Sequence, residues 1–185
     1  MSSKFFVAAA AVAATTALMA SPVKAEDKGI YVLGGLGVSQ TDAAGFAMDK
    51  GFNSELGFGY DFGNDIRAEF TWERSDLPSI TILGLTLPAD ASTDSFLLSL
   101  YRDFSNNTKL TPFIGAGLGT TGVNDSVNTW NNGFTYAVSA GASYEVSDST
   151  DLYVKAQYLD ASPSSGGVAV DSNAVSAKFG VRYSF

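Results

Sequence analysis

Val175-Ser-Ala-Lys-Phe-Gly-Val-Arg-Tyr-Ser-Phe185 alternates without a break. Val175, Ala177, Phe179, Val181, Tyr183 and Phe185 point to one side, and Ser176, Lys178, Gly180, Arg182 and Ser184 to the other. Strand side chains repeat every two residues, so the stretch reads as a strand with one apolar and one polar face. An exposed aromatic strand edge on a soluble domain invites aggregation. A strand that closes a barrel within lipid has no free edge, and its apolar face meets hydrocarbon.

Seven earlier segments repeat the pattern, at roughly residues 29–39, 51–61, 65–74, 94–104, 110–121, 133–146 and 151–160. In the third, Ile66, Ala68, Phe70 and Trp72 face one way and Arg67, Glu69, Thr71 and Glu73 the other. In the sixth, Phe134, Tyr136, Val138, Ala140, Ala142 and Tyr144 alternate with Thr135, Ala137, Ser139, Gly141, Ser143 and Glu145. Each segment has about the length of a tilted membrane-spanning strand. Together they predict an all-β protein, an eight-stranded antiparallel up-and-down transmembrane β-barrel. Short turns at residues 62–64, 105–108 and 147–149 carry Gly, Asn, Asp and Ser. Longer connections, near 40–50, 75–93, 122–132 and 161–173, fall on the opposite rim. That asymmetry predicts periplasmic turns and four extracellular loops. Outward aromatics then gather in two bands, with Tyr60, Phe62, Phe104, Tyr144, Tyr183 and Phe185 at one rim. Phe52, Trp72, Phe96, Phe134, Tyr136 and Tyr158 mark the other. A soluble lipocalin-type barrel is the competing architecture; it would turn the charged face outward to water.

Residues 1–25 read as a cleaved export signal: Lys4, an Ala-rich apolar run to Ala20, then Val23-Lys24-Ala25. A retained amphipathic anchor is the alternative reading. The barrel domain is expected over 26–185, with 9 basic residues (11 less Lys4 and Lys24) against 19 acidic ones. That sign disfavours a nucleic-acid partner. The chain has no Cys and no His. Thiolate and imidazole metal ligands are therefore absent, as is the common general base of Ser hydrolases. No cofactor, metal or catalytic residue is expected, although Glu69 and Glu73 share a strand face as a carboxylate pair would.

The inward-facing charges are Glu55, Arg67, Glu69, Glu73, Glu145, Lys155, Lys178 and Arg182. Eight strands leave room inside for side chains or one small ligand, and buried charges persist when paired. The set reads as a salt-bridged filling, with an ion path lined by the same charges as the alternative. The lumen-side glycines either leave space for water or ease strand curvature. In the second long connection Ile80, Ile82 and Leu85 either prolong a hairpin above the membrane or form an exposed apolar contact site.

Gly29-Ile-Tyr-Val-Leu-Gly-Gly-Leu-Gly37, Thr111-Pro-Phe-Ile-Gly-Ala-Gly-Leu-Gly119 and Lys178-Phe-Gly-Val-Arg-Tyr-Ser-Phe185 resemble the OmpA- and OmpX-like small outer-membrane β-barrels. The resemblance implies a bacterial outer-membrane location, with membrane lipid and lipopolysaccharide as surroundings. It also implies that Phe179, Val181, Tyr183 and Phe185 form the signal read by the outer-membrane assembly machinery. Family enzymes that modify lipid A use His, which disfavours that branch here. One fold hosts many activities. The expected role is structural, with surface contact through the loops and a monomeric barrel. A narrow channel for ions or small solutes is the alternative.

Overall fold

The computed structural model describes residues 29–43, 46–82, 85–125, 132–165, 168–169 and 171–185. The export signal expected over residues 1–25 lies outside them. Ten strands follow in chain order: β1 Gly29–Ala43, β2 Phe46–Asp61, β3 Ile66–Ile82, β4 Leu85–Asp103, β5 Leu110–Asp125, β6 Gly133–Ser147, β7 Thr150–Ala161, β8 Ser164–Ser165, β9 Val168–Ala169 and β10 Ser172–Ser184. Among the described residues eight of them close a barrel in the order β1-β10-β7-β6-β5-β4-β3-β2, while β8 and β9 pair separately. Every barrel pairing is antiparallel, and β10 closes onto β1 from Tyr31↔Ser184 to Ala43↔Ser172. No helix among the described residues is long and apolar enough to cross a membrane.

The alternation read from the sequence sorts the side chains. Leu98, Leu118, Phe134 and Phe179 are exposed, whereas Glu55, Arg67, Glu69 and Lys178 are buried. A soluble barrel shows the reverse, so the polar face lines the lumen and the apolar face forms the outer wall. Phe58, Phe70 and Phe96 touch in a row along that wall, with ring centroids 5.6 and 6.4 Å apart.

The short turns carry the chemistry their residues suggest. Gly63 and Asp65 take positive φ values of 68° and 59°, and the Gly63 amide donates to Asp61 Oδ1 at 2.7 Å. At the next turn Asn106 Oδ1 accepts from the Thr108 amide at 2.8 Å while Asn106 Nδ2 donates to the Leu110 carbonyl at 2.8 Å. The Asn-x-Thr pattern there is a local turn lock.

The long connections continue the pairing of the barrel. Among the described residues much of 40–50 and 75–93 is paired strand, the latter as the prolonged hairpin, and β5 stays paired to Asp125. β1 and β2 stay paired up to Ala43↔Phe46, and β3 and β4 up to Ile82↔Leu85. Pro78 is accommodated where the register shifts between Leu77 and Ser79. A bulge leaves one residue out of the ladder, so the missing proline N–H costs no rung. The 19 residues of β4 run roughly 60 Å along the strand. A barrel's apolar band is about 25 Å tall. Even with strand tilt, the β3–β4 hairpin stands well beyond the outer aromatic band.

The lumen glycines have a defined use. Tyr31 pairs with Gly59, Tyr101 with Gly115, Phe113 with Gly141 and Tyr153 with Gly180. In each case a Cβ built on the glycine would run into the ring of its partner. The space left by each missing side chain is therefore filled by an aromatic ring lying across the strand, not by open lumen. Gly115→Val is expected to destabilise the barrel by about 1–3 kcal/mol through overpacking, and Ala116→Val on the lipid face to change it little. Urea unfolding of vesicle-inserted protein measures both.

Candidate functional site

The lumen places four carboxylates and four cations from distant strands in one buried cluster. Glu55, Glu69, Glu73 and Asp103 face Arg67, Lys155, Lys178 and Arg182, and all eight are at most 8% exposed. Eight strands fix the lumen's width, and alternation sends these side chains into it. A charge taken from water must find a partner there.

Glu55 on β2 is the central acceptor. Its Oε2 receives Lys155 Nζ of β7 at 2.7 Å and Lys178 Nζ of β10 at 3.2 Å, and its Oε1 receives the Tyr153 hydroxyl at 2.6 Å. Lys178 also reaches Glu73 at 2.6 Å and donates to Gln157 Oε1 at 2.8 Å. Gln157 Nε2 returns a hydrogen bond to Glu73 at 3.1 Å. These contacts span the lumen, since β1 and β10 stand between β2 and β7 around the wall.

A second group lies toward the short-turn rim. The Arg67 guanidinium bridges Glu69 and Asp103, its Nε lying 2.9 Å from Asp103. Tyr31 donates to Glu69 at 2.9 Å. The face of the guanidinium lies 4.2 Å from the Tyr101 ring centroid and 4.8 Å from that of Phe113. Cation–π attraction is strongest where both partners are desolvated, as here. Arg182 joins the group more loosely, 3.4 Å from Asp151 and 3.8 Å from Glu69. A cavity of about 10 Å³ remains between Arg67, Tyr101 and Lys155, room for about one water.

Ser95, across the strand from Glu73, begins a neutral group. Ser95 and Thr121 share a hydrogen bond of 2.8 Å, and the Thr135 hydroxyl donates to Thr121 at 2.8 Å. Leu97 is fully buried beside them on β4.

Seven of the eight charges assigned to the lumen from sequence lie in the buried cluster. Glu145 does not: it is only half-buried, opposite Asp151 at the short-turn rim. Glu145 is the last residue of β6 in continuous register before the turn, so its height on the strand, not its parity, puts it at the rim. Its place among the acids is taken by Asp103. The parity that puts Leu98 and Leu100 outside puts Asp103 inside, so alternation could have found it. Tyr31, Tyr153 and Gln157 follow from the same parity. Their role as hydrogen-bond partners depends on pairing across the barrel, which one strand does not reveal. Phe179, Val181, Tyr183 and Phe185 are exposed on the outer wall, and the Tyr183 and Phe185 rings meet edge to face at 5.3 Å. The backbone of Ile80, Ile82 and Leu85 lies in the outer part of the β3–β4 hairpin, with Ile80 opposite Leu87 and Ile82 opposite Leu85; their side chains lie outside the described set. Among the described residues no group of three or more His, Cys, Asp or Glu side chains is arranged to hold a metal ion.

Residues 8–185 match the family model described as outer membrane protein beta-barrel domain. Among solved structures, Neisserial surface protein A superposes with a TM-score of 0.71 at 22% identity, over 86% of this chain and all of that one. Ail, the attachment invasion locus protein of Yersinia pestis, solved with the heparin analogue sucrose octasulfate, gives 0.50 at 14% identity over 85% of this chain and all of its own. Among curated proteins, outer membrane protein PagN of Salmonella typhimurium is 27% identical over 92 residues. That match spans 43% of this chain and 37% of the length of PagN.

Replacing Glu55 by Gln leaves Lys155 and Lys178 buried around a neutral group, and a loss of about 3–5 kcal/mol is expected. Asp151→Asn, at the more accessible end of the cluster, is expected to cost no more than about 1 kcal/mol. Denaturant midpoints of the two vesicle-inserted variants, set against the parent, give the comparison.

Proposed function

Since the chain belongs to the outer membrane protein β-barrel domain family and forms a closed eight-stranded barrel of the bacterial outer membrane, we propose that it works through its outer surface, with a lumen that is filled instead of conducting. The observation that carries this is the reciprocal pairing inside. Each of the four buried cations has a carboxylate within 4 Å, and Lys155, Lys178 and Arg182 reach theirs across the lumen, from β7 and β10 to β2 and β3. A solute would have to break several desolvated pairs to pass. The barrel's role is then structural, as a rigid platform in the envelope, and non-enzymatic.

What the platform holds up is the set of paired hairpins beyond the outer aromatic band. The four long connections, taken at 40–50, 75–93, 122–132 and 161–173, carry six Asp and one Lys. The second also holds the apolar run with Ile80, Ile82 and Leu85. Connections that are acidic in net charge and hold an apolar run fit an apolar or basic partner surface better than a polyanion. Ail, a fold neighbour, is an attachment protein crystallised with a heparin analogue; attachment is the property carried over as a proposal, while the charge here argues against the same ligand class. The outer wall is solvated by membrane lipid and lipopolysaccharide, and the barrel acts as a monomer. Residues 1–25 serve as the export signal, and Phe179, Val181, Tyr183 and Phe185 present the strand that the assembly machinery reads.

Ser79 and Pro88 are opposite one another in the register, so replacing Ile80–Leu87 by Asn-Gly closes the shortened hairpin with a two-residue turn. The expected outcome is an unchanged heat-shifted gel band and reduced adhesion of expressing cells to immobilised basic or apolar matrix proteins. Unchanged adhesion with a folded barrel would count against the hairpin as the contact surface.

A further inference from the structure

The two buried arginines carry more N–H groups than the carboxylates around them accept. Arg67 donates through Nε to Asp103 at 2.9 Å and through Nη1 to Glu69 and the Tyr31 hydroxyl. Arg182 donates through Nη1 to Asp151 at 3.4 Å, and its Nη2 lies 3.8 Å from Glu69, too long for a hydrogen bond. Arg67 Nη2 and Arg182 Nε remain, both buried and both without an acceptor among the described residues. A buried donor left unpaired loses its hydration with nothing in exchange, which native folds rarely tolerate.

Both arginines line one cavity, and Leu33, Glu69, Phe113 and Lys155 are among the other residues around it. Its volume of about 10 Å³ suits one water molecule. Charge and size together name the occupant. The buried cluster sets four carboxylates against four cations, so a neutral molecule leaves that balance intact. A chloride ion is larger and would add an uncompensated charge to a desolvated set. An apolar occupant would leave both N–H groups unpaired. Water accepts hydrogen bonds as well as donating them, needs two to four polar partners, and finds an acceptor in Glu69 at the same cavity.

We propose that one water molecule is bound here, accepting from Arg67 Nη2 and Arg182 Nε and donating to Glu69. It completes the hydrogen bonding of both guanidiniums. It also ties Arg182 into a cluster that its direct contacts reach only loosely. Arg182 is then positioned from two ends, by Asp151 at the rim and by the water inside. Such a site requires the filled lumen proposed above and is independent of what the hairpins bind.

The protein, extracted from outer membranes and checked by its heat-shifted band, is crystallised from chloride and from bromide solutions to a resolution that shows ordered water. The expected result is one isolated solvent peak within hydrogen-bond distance of Arg67 Nη2, Arg182 Nε and a Glu69 oxygen, with no anomalous signal there in the bromide crystals. In Arg182→Leu, which removes one donor and leaves Arg67 on Asp103, the peak is expected to be lost. A parent structure with no peak between the two arginines overturns the proposal. A bromide signal at that position overturns it too, since the site would then hold an anion. A peak unchanged in Arg182→Leu likewise overturns it, because Arg182 would not be a partner. If that variant does not fold, the parent and bromide crystals decide. A continuous file of waters from rim to rim would instead overturn the filled lumen itself, and the isolated site with it.

Discussion

Glu55 bound to Lys155 and Lys178 is the constraint on which the rest of the barrel's interior depends. The three residues come from β2, β7 and β10, and 100 or more positions of sequence separate the acid from either lysine. No two of these strands but β7 and β10 are neighbours around the wall. The ion pairs therefore form only once the sheet has closed. Closure in turn buries eight charges that have no tolerable state except as a mutually neutralising set. Backbone pairing makes closure obligatory in a bilayer, and charge pairing makes the closed interior specific. Arg67, Glu69 and Asp103 repeat the same solution nearer the short-turn rim.

The cluster sits in a lumen whose remaining width is taken up by rings. Four aromatic side chains each lie over a glycine directly across the strand, so the bulk of one residue uses the vacancy of its partner. Two of the rings, Tyr101 and Phe113, meet edge to face at 5.7 Å and both touch the Arg67 guanidinium. Tyr31 and Tyr153 present their hydroxyls to Glu69 and Glu55. The glycines thereby determine where the aromatics stand, and the aromatics determine which charges can pair. The outer wall needs no such matching, since its apolar face meets lipid.

The barrel was legible because alternation is a local property. A period of two along Phe179, Val181, Tyr183 and Phe185 needs no knowledge of neighbouring strands, and eight such stretches joined by short and long connections leave few alternatives. Parity alone also put Glu55, Arg67, Glu69, Glu73, Lys155, Lys178 and Arg182 inside. What parity did not show was which of them pair, because register between strands is set by turns and bulges. Glu145 has lumen parity, yet it stands at the end of its strand, at the rim. How far the hairpins continue beyond the membrane is less legible for a related reason. Residues 75–93 contain two prolines and a glycine and lack strict alternation. Their strand character comes from the continuation of pairing already begun within the barrel, from Arg74↔Asp94 up to Ile82↔Leu85.

A filled lumen and projecting hairpins divide the molecule into a passive interior and an active exterior. Conductance of the folded protein in a planar bilayer tests that division most directly, with folding checked by the heat-shifted form. The paired interior predicts silence across a wide voltage range. Steady, discrete openings whose ion selectivity changes on reversing the charge of Glu69 or Arg182 would contradict it, and would make the same charges the lining of a pore.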